Sequence, residues 1–421
     1  MYKRFLFRAE SSIGEPVDNP VRSILMDREI GRYYLLDKKQ TKMVSEAMIG
    51  HQGEIHSIIQ TSPFRVNVNL GLLAGNIDFV NNESKRVDIL SAPISAYLEI
   101  SAKCNLNCVG CYQGQRKESK SMTTSQILGF LNSFARFGGL TVRLTGKEPT
   151  MHKDIVKVVS AGSELGLKLA MNTNGVFPER KIAELVHAGL SEVVISLDGD
   201  SFSHNLFRGA EVYERTIATA ENFSSLGVDT RFNMTVSLLN MSKIGHVAEV
   251  AKKYNAYVSY IPLRNIGKAA EGVMLTMEDM KKVATEITHL RKELGIRLLT
   301  YFDIFGDEPD YYHPMFQLSP CHARKNIFVT YDGNVFPCDH LVPLGKIYCG
   351  GNILESDLRT IWNNGAGLER YRKIGISDEC INCQFFLSKC YGGCISEAVT
   401  RLGKNCGQKI ERDRLCPRSL V

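Results

Sequence analysis

The sequence predicts an α/β fold: a partial (β/α)6 TIM-like barrel through the middle of the chain, a small winged-helix-like module before it and a cysteine-rich module after it. Two patterns in the 421 residues carry that expectation. From Tyr97 to about Leu299, short β-like runs alternate with helical runs, as in βα units wound around a parallel sheet. The twelve cysteines are absent from the first hundred residues and then fall in two groups, Cys104, Cys108 and Cys111, and nine more between Cys321 and Cys416.

Residues 1–88 form the first predicted segment. β-like stretches at Ser23–Met26 and Tyr33–Asp37 precede helical patterns around Thr41–Ile49 and Glu54–Gln60. An apolar tail with Val66, Val68, Leu70, Leu72 and Leu73 follows. The barrel is expected over 92–305, with strands at 97–101, 141–145, 167–172, 192–197, 230–236 and 256–261. Its helices are expected to begin near Thr124, Lys153, Pro178, Val212, Ser242 and Met277, several of them behind a Ser, Thr or Asp suited to capping. Functional residues of such a barrel lie at the carboxyl ends of the strands. The third segment, 310–421, reads as short of helix and rich in Cys, Gly and Pro, so bound metal is the expected source of its order.

Composition excludes other classes. With 44% hydrophobic residues the chain is neither disordered nor fibrous. Its opening holds only the apolar patch Phe5–Phe7, short of the roughly 7–15 residues of a signal peptide. No uncharged apolar run approaches the roughly 18 residues of a membrane span, and no lipidation motif stands at either end. A cytoplasmic protein without a membrane partner is expected. The net charge of +6 is dispersed, which disfavours nucleic acid and suits a solvated surface, an acidic peptide or a phosphate-bearing ligand. Clustered thiols without an export signal point to metal ligation, not disulfides.

The run Cys104-Asn-Leu-Asn-Cys108-Val-Gly-Cys111 places three thiols on a tight loop directly after the first barrel strand. Three thiolates so spaced can hold three corners of a [4Fe–4S] cluster and leave one iron open. Zinc is the alternative, but it wants four ligands and no fourth stands nearby. After the second strand comes Gly146-Lys147-Glu148-Pro149, after the third Asn172-Thr173-Asn174-Gly175, and after the fourth Ser196-Leu197-Asp198-Gly199 with HNLFRG at 204–209. In this order the motifs resemble those of the radical S-adenosylmethionine (SAM) superfamily, over the middle half of the chain.

The resemblance implies that Gly146, Glu148 and Pro149 hold the methionyl amino group of SAM, that Asn174 lies on the ribose side, that Ser196 and Asp198 belong to an SxDG element, and that Arg208 pairs with the SAM carboxylate. Two positions depart from the family pattern. Lys147 replaces a second glycine, and Gly110 stands where an aromatic or His residue commonly meets adenine, a place Tyr112 is then expected to take.

The tail resembles the SPASM extension. Cys321, eleven residues, Gly333, four residues and Cys338 form its first part; Cys380-x2-Cys383-x6-Cys390-x3-Cys394 forms its second, with one residue more than usual before Cys390. The resemblance implies a first auxiliary cluster on Cys321, Cys338 and Cys394 and a second on Cys380, Cys383 and Cys390, completed by Cys416 in preference to Cys406. Cys349 is either the fourth ligand of the first cluster or a spare thiol, in which case an open iron could bind substrate. Two zinc sites are the alternative for the whole tail.

The first segment, with its "YYLLD" at 33–37, looks like the PqqD-like domains that hold leader peptides of ribosomally made peptides. Together the resemblances imply an enzyme with SAM and three [4Fe–4S] clusters, one binding SAM and two auxiliary. Its 5′-deoxyadenosyl radical would abstract hydrogen from a precursor peptide and set an intrapeptide crosslink, C–C, thioether or ether, with flavodoxin or ferredoxin as electron donor. A sulfatase-maturase-like or alcohol dehydrogenation is the alternative within enzymes, and a non-catalytic Fe–S or zinc peptide scaffold the alternative outside them. Asp303 and His313, between barrel and tail, carry no motif.

Overall fold

The computed structural model describes residues 90–114, 121–264, 271–300 and 325–384 continuously, with the N-terminal strands, Val44, Lys268, Phe302, residues 393–402 and 409–410, and Cys416 beside them. Asp303 and His313 lie outside the described residues.

The N-terminal segment contributes β1 (Phe5–Ile13), β2 (Val21–Asp27), β3 (Arg32–Leu36), β4 (His56–Thr61), β5 (Phe64–Asn69) and β6 (Ile77–Asn81). Four of them form a sheet in the order β3-β2-β1-β6, antiparallel except for the β1–β6 pair. Leu25 and Leu36 on β2 and β3 are fully buried. The helix expected around Glu54–Gln60 is not formed. Its described residues, His56–Gln60, lie in β4, which pairs antiparallel with β5 from His56↔Asn69 to Thr61↔Phe64. Ile55, Ile58 and Ile59 mimic helical spacing, but the β-branched Ile58, Ile59 and Thr61 in one run and Val66 and Val68 in the next, with Ile59 paired to Val66, favour a hairpin. Of the helix expected at Thr41–Ile49 only Val44 is described, helical and buried; Leu70, Leu72 and Leu73 lie outside the described residues.

The barrel follows as β7 (Ser95–Ser101), α1 (Thr124–Arg136), β8 (Thr141–Gly146), α2 (Ile155–Glu164), β9 (Lys168–Thr173), α3 (Arg180–His187), β10 (Leu190–Ser196), α4 (Ser201–Arg208), α5 (Tyr213–Ser225), β11 (Asp229–Val236), α6 (Ile244–Lys253), β12 (Tyr257–Pro262), α7 (Met277–Leu294) and β13 (Leu298–Thr300). All pairs from β7 to β13 are parallel. Helix starts are written into the sequence: Thr123 with Gln126 and Thr276 with Asp279 form capping boxes on α1 and α7. Along each strand one face carries apolar residues such as Val142, Leu144, Phe232, Met234 and Val258, which join Phe134, Val158, Phe223 and Val247 of the helices in one core. Each such fully buried side chain contributes about 1.5–3 kcal/mol.

The opposite strand face is polar. Arg143 on β8 and Arg231 on β11 both pair with Glu192 on β10, at 3.0 and 3.2 Å. Tyr257 of β12 donates its hydroxyl to Glu192 as well, at 3.2 Å. Burial alone would raise the Glu192 carboxyl, but the two guanidinium groups outweigh it and hold it at about 2.

The tail departs from expectation. Strand β14 (Asn326–Val329) joins the free edge of β7 in parallel, and β15 (Asn334–Phe336) and β16 (Gly351–Asn352) continue antiparallel, so one ten-stranded sheet runs from β13 to β16. The segment is not short of helix: α8 (Leu358–Asn364), α9 (Ala366–Arg372), α10 (Asp378–Ile381) and α11 (Ile395–Leu402) follow a 3-10 run at Asp339–Ile347. It also buries apolar surface. Phe328, Phe336, Leu341, Tyr348, Tyr371, Ile374 and Val399 form a cluster, and the fully buried Trp362 donates Nε1–H to Leu90 O at 2.8 Å. Cysteine and glycine density had masked helices capped at Asp357 and Ser377.

Candidate active site

The loop after β7 carries Cys104, Cys108 and Cys111, all free thiols. The end of β8 fastens it: Lys147 N–H donates to Ser101 O at 3.2 Å and Glu148 N–H to Lys103 O at 2.9 Å. Gly146 is required here. Its φ of +120° lies in the left-handed region, and a Cβ would stand 2.7 Å from Ser101 O. Among the described residues Asn255 is the one non-glycine with positive φ, so Lys147 fits its turn without strain despite replacing a glycine.

Glu148 is buried at 1% exposure and receives four hydrogen bonds, from Thr150 N–H and hydroxyl at 3.1 and 2.7 Å, Thr173 hydroxyl at 2.9 Å and Asn174 N–H at 2.9 Å. Burial pushes its carboxyl up against the pull of these donors. Glu148 thereby ties the ends of β8 and β9 together. Pro149 opens the short 3-10 turn behind it. Asn174 reaches the thiol loop. Its side-chain amide donates to Asn105 Oδ1 at 2.8 Å and stands 3.9 Å from Cys104 Sγ, while its Oδ1 accepts from Val176 N–H at 2.8 Å.

Ser196 ends β10 half-buried, and Asp198 beyond it is fully buried. Asp198 ion-pairs with Arg208, accepts from Thr235 N–H at 3.1 Å, and gives its own N–H to His204 Nδ1 at 3.2 Å. Burial raises the Asp198 carboxyl, with Arg208 as the main offset. Burial and the Arg208 charge lower His204 to about 3, so His204 is neutral and accepts at Nδ1. Helix α4, which the sequence reading left unmarked, carries His204 and Arg208; Asp200 as its N-cap and Gly209 in the left-handed region behind it are the signals that could have found it. Its C-terminal end is docked on the thiol loop, since Val109 N–H donates to Phe207 O at 2.9 Å and Arg208 Nη1 donates to Cys108 Sγ at 3.7 Å.

Of the loop's remaining neighbours, Tyr112 was expected from the sequence, whereas Phe207, Gln113 and Lys268 were not singled out. Phe207, buried with Leu263 and Met274, fills the space beside Gly110: a Cβ at position 110 would lie 2.7 Å from the Phe207 Cζ. Tyr112 is tied by its hydroxyl, which accepts from Gln113 Nε2 at 2.7 Å; Gln113 also donates to the buried Glu99 at 2.6 Å. Burial, then the Asp339 and Glu99 charges, push the Tyr112 phenol well up. Lys268 donates its N–H to Cys111 O at 3.0 Å and its ammonium to Asn107.

In the tail, Cys338 and Cys394 come together at His340. Cys338 Sγ accepts from His340 N–H at 3.3 Å and from Ser396 hydroxyl at 3.4 Å, and the His340 side chain hydrogen-bonds Cys394. Cys380 and Cys383 flank one turn of α10 and are half-buried, as is Cys416. Cys349 directs its thiol at Gly351 O, 3.4 Å away, and Asn334 Oδ1, 3.9 Å away. Cys321, Cys390 and Cys406 lie outside the described residues.

The thiol loop suits an iron–sulfur cluster. Burial pushes Cys104 and Cys111 up, only partly countered by N–H donors and, at Cys111, by Lys268 and Arg208, so a bound metal centre is what would hold them as thiolates. A parallel (β/α) barrel with such a loop after its first strand, flanked by Glu148 and Asn174 at the following strand ends and by Arg208 at the end of α4, fits an iron–sulfur enzyme of the radical SAM type. Comparison with known proteins agrees. The radical SAM superfamily model matches residues 98–251, and that of the SPASM iron–sulfur cluster-binding domain matches residues 321–384. The chain belongs to the radical SAM superfamily and is a SPASM-bearing radical SAM enzyme that uses SAM and [4Fe–4S] clusters.

It is 28% identical to an AdoMet-dependent heme synthase of Methanosarcina barkeri, over 75% of this chain and 95% of that one. It is 25% identical to the mycofactocin maturase MftC of Mycolicibacterium smegmatis, over 73% of this chain and 79% of that one. The fold is shared with SuiB of Streptococcus suis, solved bound to its precursor peptide SuiA, with a TM-score of 0.72, 18% identity and 98% of each chain covered. No described helix is long and apolar enough to cross a membrane.

Proposed function

We propose that this enzyme matures a ribosomally made precursor peptide by forming an intrapeptide crosslink. What carries the reading is the extent of the likeness to SuiB, which takes in the N-terminal sheet as well as barrel and tail. The likeness to heme synthase covers a smaller share of this chain. The reading includes two auxiliary clusters in the tail, on Cys338 and Cys394 with Cys321, and on Cys380, Cys383 and Cys390 with Cys416.

When bound, the cluster on Cys104, Cys108 and Cys111 supplies the electron that splits SAM to a hydrogen-abstracting 5′-deoxyadenosyl radical. The chain's own residues bind and orient. The Gly146–Pro149 turn, stiffened by Glu148, offers backbone to the methionyl amino group, and Arg208, held in place by Asp198, turns a guanidinium to the SAM carboxylate. Asn174 and Ser196 border the ribose, and Tyr112 the adenine side. Residues 1–88 grip the leader, which keeps the core peptide at the barrel mouth. Flavodoxin or ferredoxin delivers the electron.

The test is anaerobic incubation with SAM, a reductant and the peptide encoded by a short reading frame beside the gene. A crosslinked product has lost two hydrogen atoms, and 5′-deoxyadenosine accumulates with it. Formation of 5′-deoxyadenosine with the peptide unchanged rejects the peptide reading; no 5′-deoxyadenosine from the Cys104→Ala, Cys108→Ala, Cys111→Ala triple variant is the matching control.

A further inference from the structure

We propose that His340 is a nitrogen ligand of the iron centre held by Cys338 and Cys394, and that Cys349 stands outside it. The inference rests on the reading that the tail carries an auxiliary iron–sulfur centre.

Three observations carry it. The two thiols meet at this residue: Cys338 Sγ receives the His340 N–H at 3.3 Å, and the His340 side chain contacts Cys394. The imidazole Nδ1 is buried and has no hydrogen-bond partner among the described residues. Buried polar atoms are as a rule paired, so a bare ring nitrogen on a side chain that contacts Cys394, and whose backbone contacts Cys338, marks the place of a missing partner. The other ring nitrogen, Nε2, lies 4.0 Å from Asp339 Oδ1, so a carboxylate charge stands near the ring without hydrogen-bonding it. Imidazole is a suitable ligand for iron, and replacing thiolate by histidine raises a cluster's reduction potential. A centre so ligated would take up an electron more readily than an all-cysteine one.

Cys349, the thiol otherwise available in this part of the chain, is placed differently. Its sulfur faces two hydrogen-bond acceptors, Gly351 O and Asn334 Oδ1. It also packs against the apolar cluster around Tyr348 and Phe336.

The test uses the full chain with Cys104, Cys108 and Cys111 all changed to Ala, so that auxiliary iron is seen alone. After anaerobic reconstitution and reduction, iron is counted and pulsed EPR reads nitrogen coupling. The expected result is retained iron with the coupling of a directly bound nitrogen. Adding His340→Gln removes that coupling, whereas His340→Cys keeps the iron, removes the coupling and lowers the potential. Cys349→Ser changes neither iron nor coupling. Retained iron without a bound-nitrogen coupling overturns the assignment, and so does iron lost from Cys349→Ser. No iron at all in the triple variant rejects the auxiliary-centre reading itself, an outcome distinct from either.

Discussion

Arg208 ion-pairs with the fully buried Asp198, and the same guanidinium reaches Cys108 Sγ at 3.7 Å. One residue therefore joins the end of β10 to the thiol loop, and its role can be separated into two measurable parts. Arg208→Ala should weaken SAM binding by about 1.5–3 kcal/mol, the range for a hydrogen bond to a charged group, with loop iron unchanged. It should also destabilise the fold by about 3–5 kcal/mol, because Asp198 is left buried without a cation. Asp198→Asn in that background should restore stability in urea unfolding but not SAM affinity in equilibrium dialysis. Unchanged SAM affinity in Arg208→Ala would reduce the residue to a structural ion pair.

Phe207 gives a second expectation. A methyl group at position 110 would press on the Phe207 ring at 2.7 Å, and that ring is confined by Leu263 and Met274. Gly110→Ala should cost about 1–3 kcal/mol, as overpacking does, and Phe207→Leu in the same chain should recover most of it. A melting temperature unmoved by Gly110→Ala would mean that the ring swings aside freely.

The barrel was legible because its two periodicities are strong: all six expected strands and all six expected helix starts fall within two residues of the observed ones. Motif positions at strand ends were legible for the same reason. What escaped is what depends on contacts between distant segments. Glu148 reads as a SAM contact, yet two of its four hydrogen bonds, from Thr173 and Asn174, knit β8 to β9; Asn174 reads as a ribose neighbour, yet its amide holds Asn105 beside Cys104. Phe207 and Lys268 reach the loop only through folding. The hairpin β4–β5 was misread because Ile55, Ile58 and Ile59 satisfy helical spacing, while cross-strand pairing, which sequence spacing does not encode, decided the outcome.

The Glu192 network should show in acid. Its folded carboxyl titrates at about 2 against an ordinary 4.5, so its folded pKa is depressed and its contribution is present above the unfolded value. That contribution is on the order of 3 kcal/mol at neutral pH and is lost as pH falls from about 4.5 toward 2. The stability gap between the native chain and Glu192→Gln should be constant above pH 5.5 or so and shrink below about 4.5. A gap that does not change with pH would show that the pair with Arg143 and Arg231 contributes through shape alone.

Iron content tests the cluster count. Anaerobically reconstituted protein should bind close to twelve iron atoms, and the Cys104, Cys108, Cys111 triple Ala variant about four fewer. Iron near four with stoichiometric zinc would reject the two auxiliary clusters.

The N-terminal sheet provides the last test. In the order β3-β2-β1-β6, strand β3 pairs, among the described residues, with β2 alone, and an extended leader adding as a further strand at that edge is the expected mode of binding. Main-chain hydrogen bonds there would supply affinity far from the reacting carbon, and such remote binding raises the rate of chemistry by holding the core peptide in place. The cut must fall before Leu90, because Leu90, Ala92 and Ile94 belong to the barrel core and Leu90 O accepts from Trp362. Deleting residues 1–82 should therefore spare SAM cleavage without substrate, since the thiol loop and its neighbours all follow Ser95. The same deletion should greatly slow modification of full precursor, while a leader-less core peptide should be modified equally poorly by both forms. Precursor modification that survives the truncation would mean that the sheet only packs, and a small-molecule substrate would then gain ground.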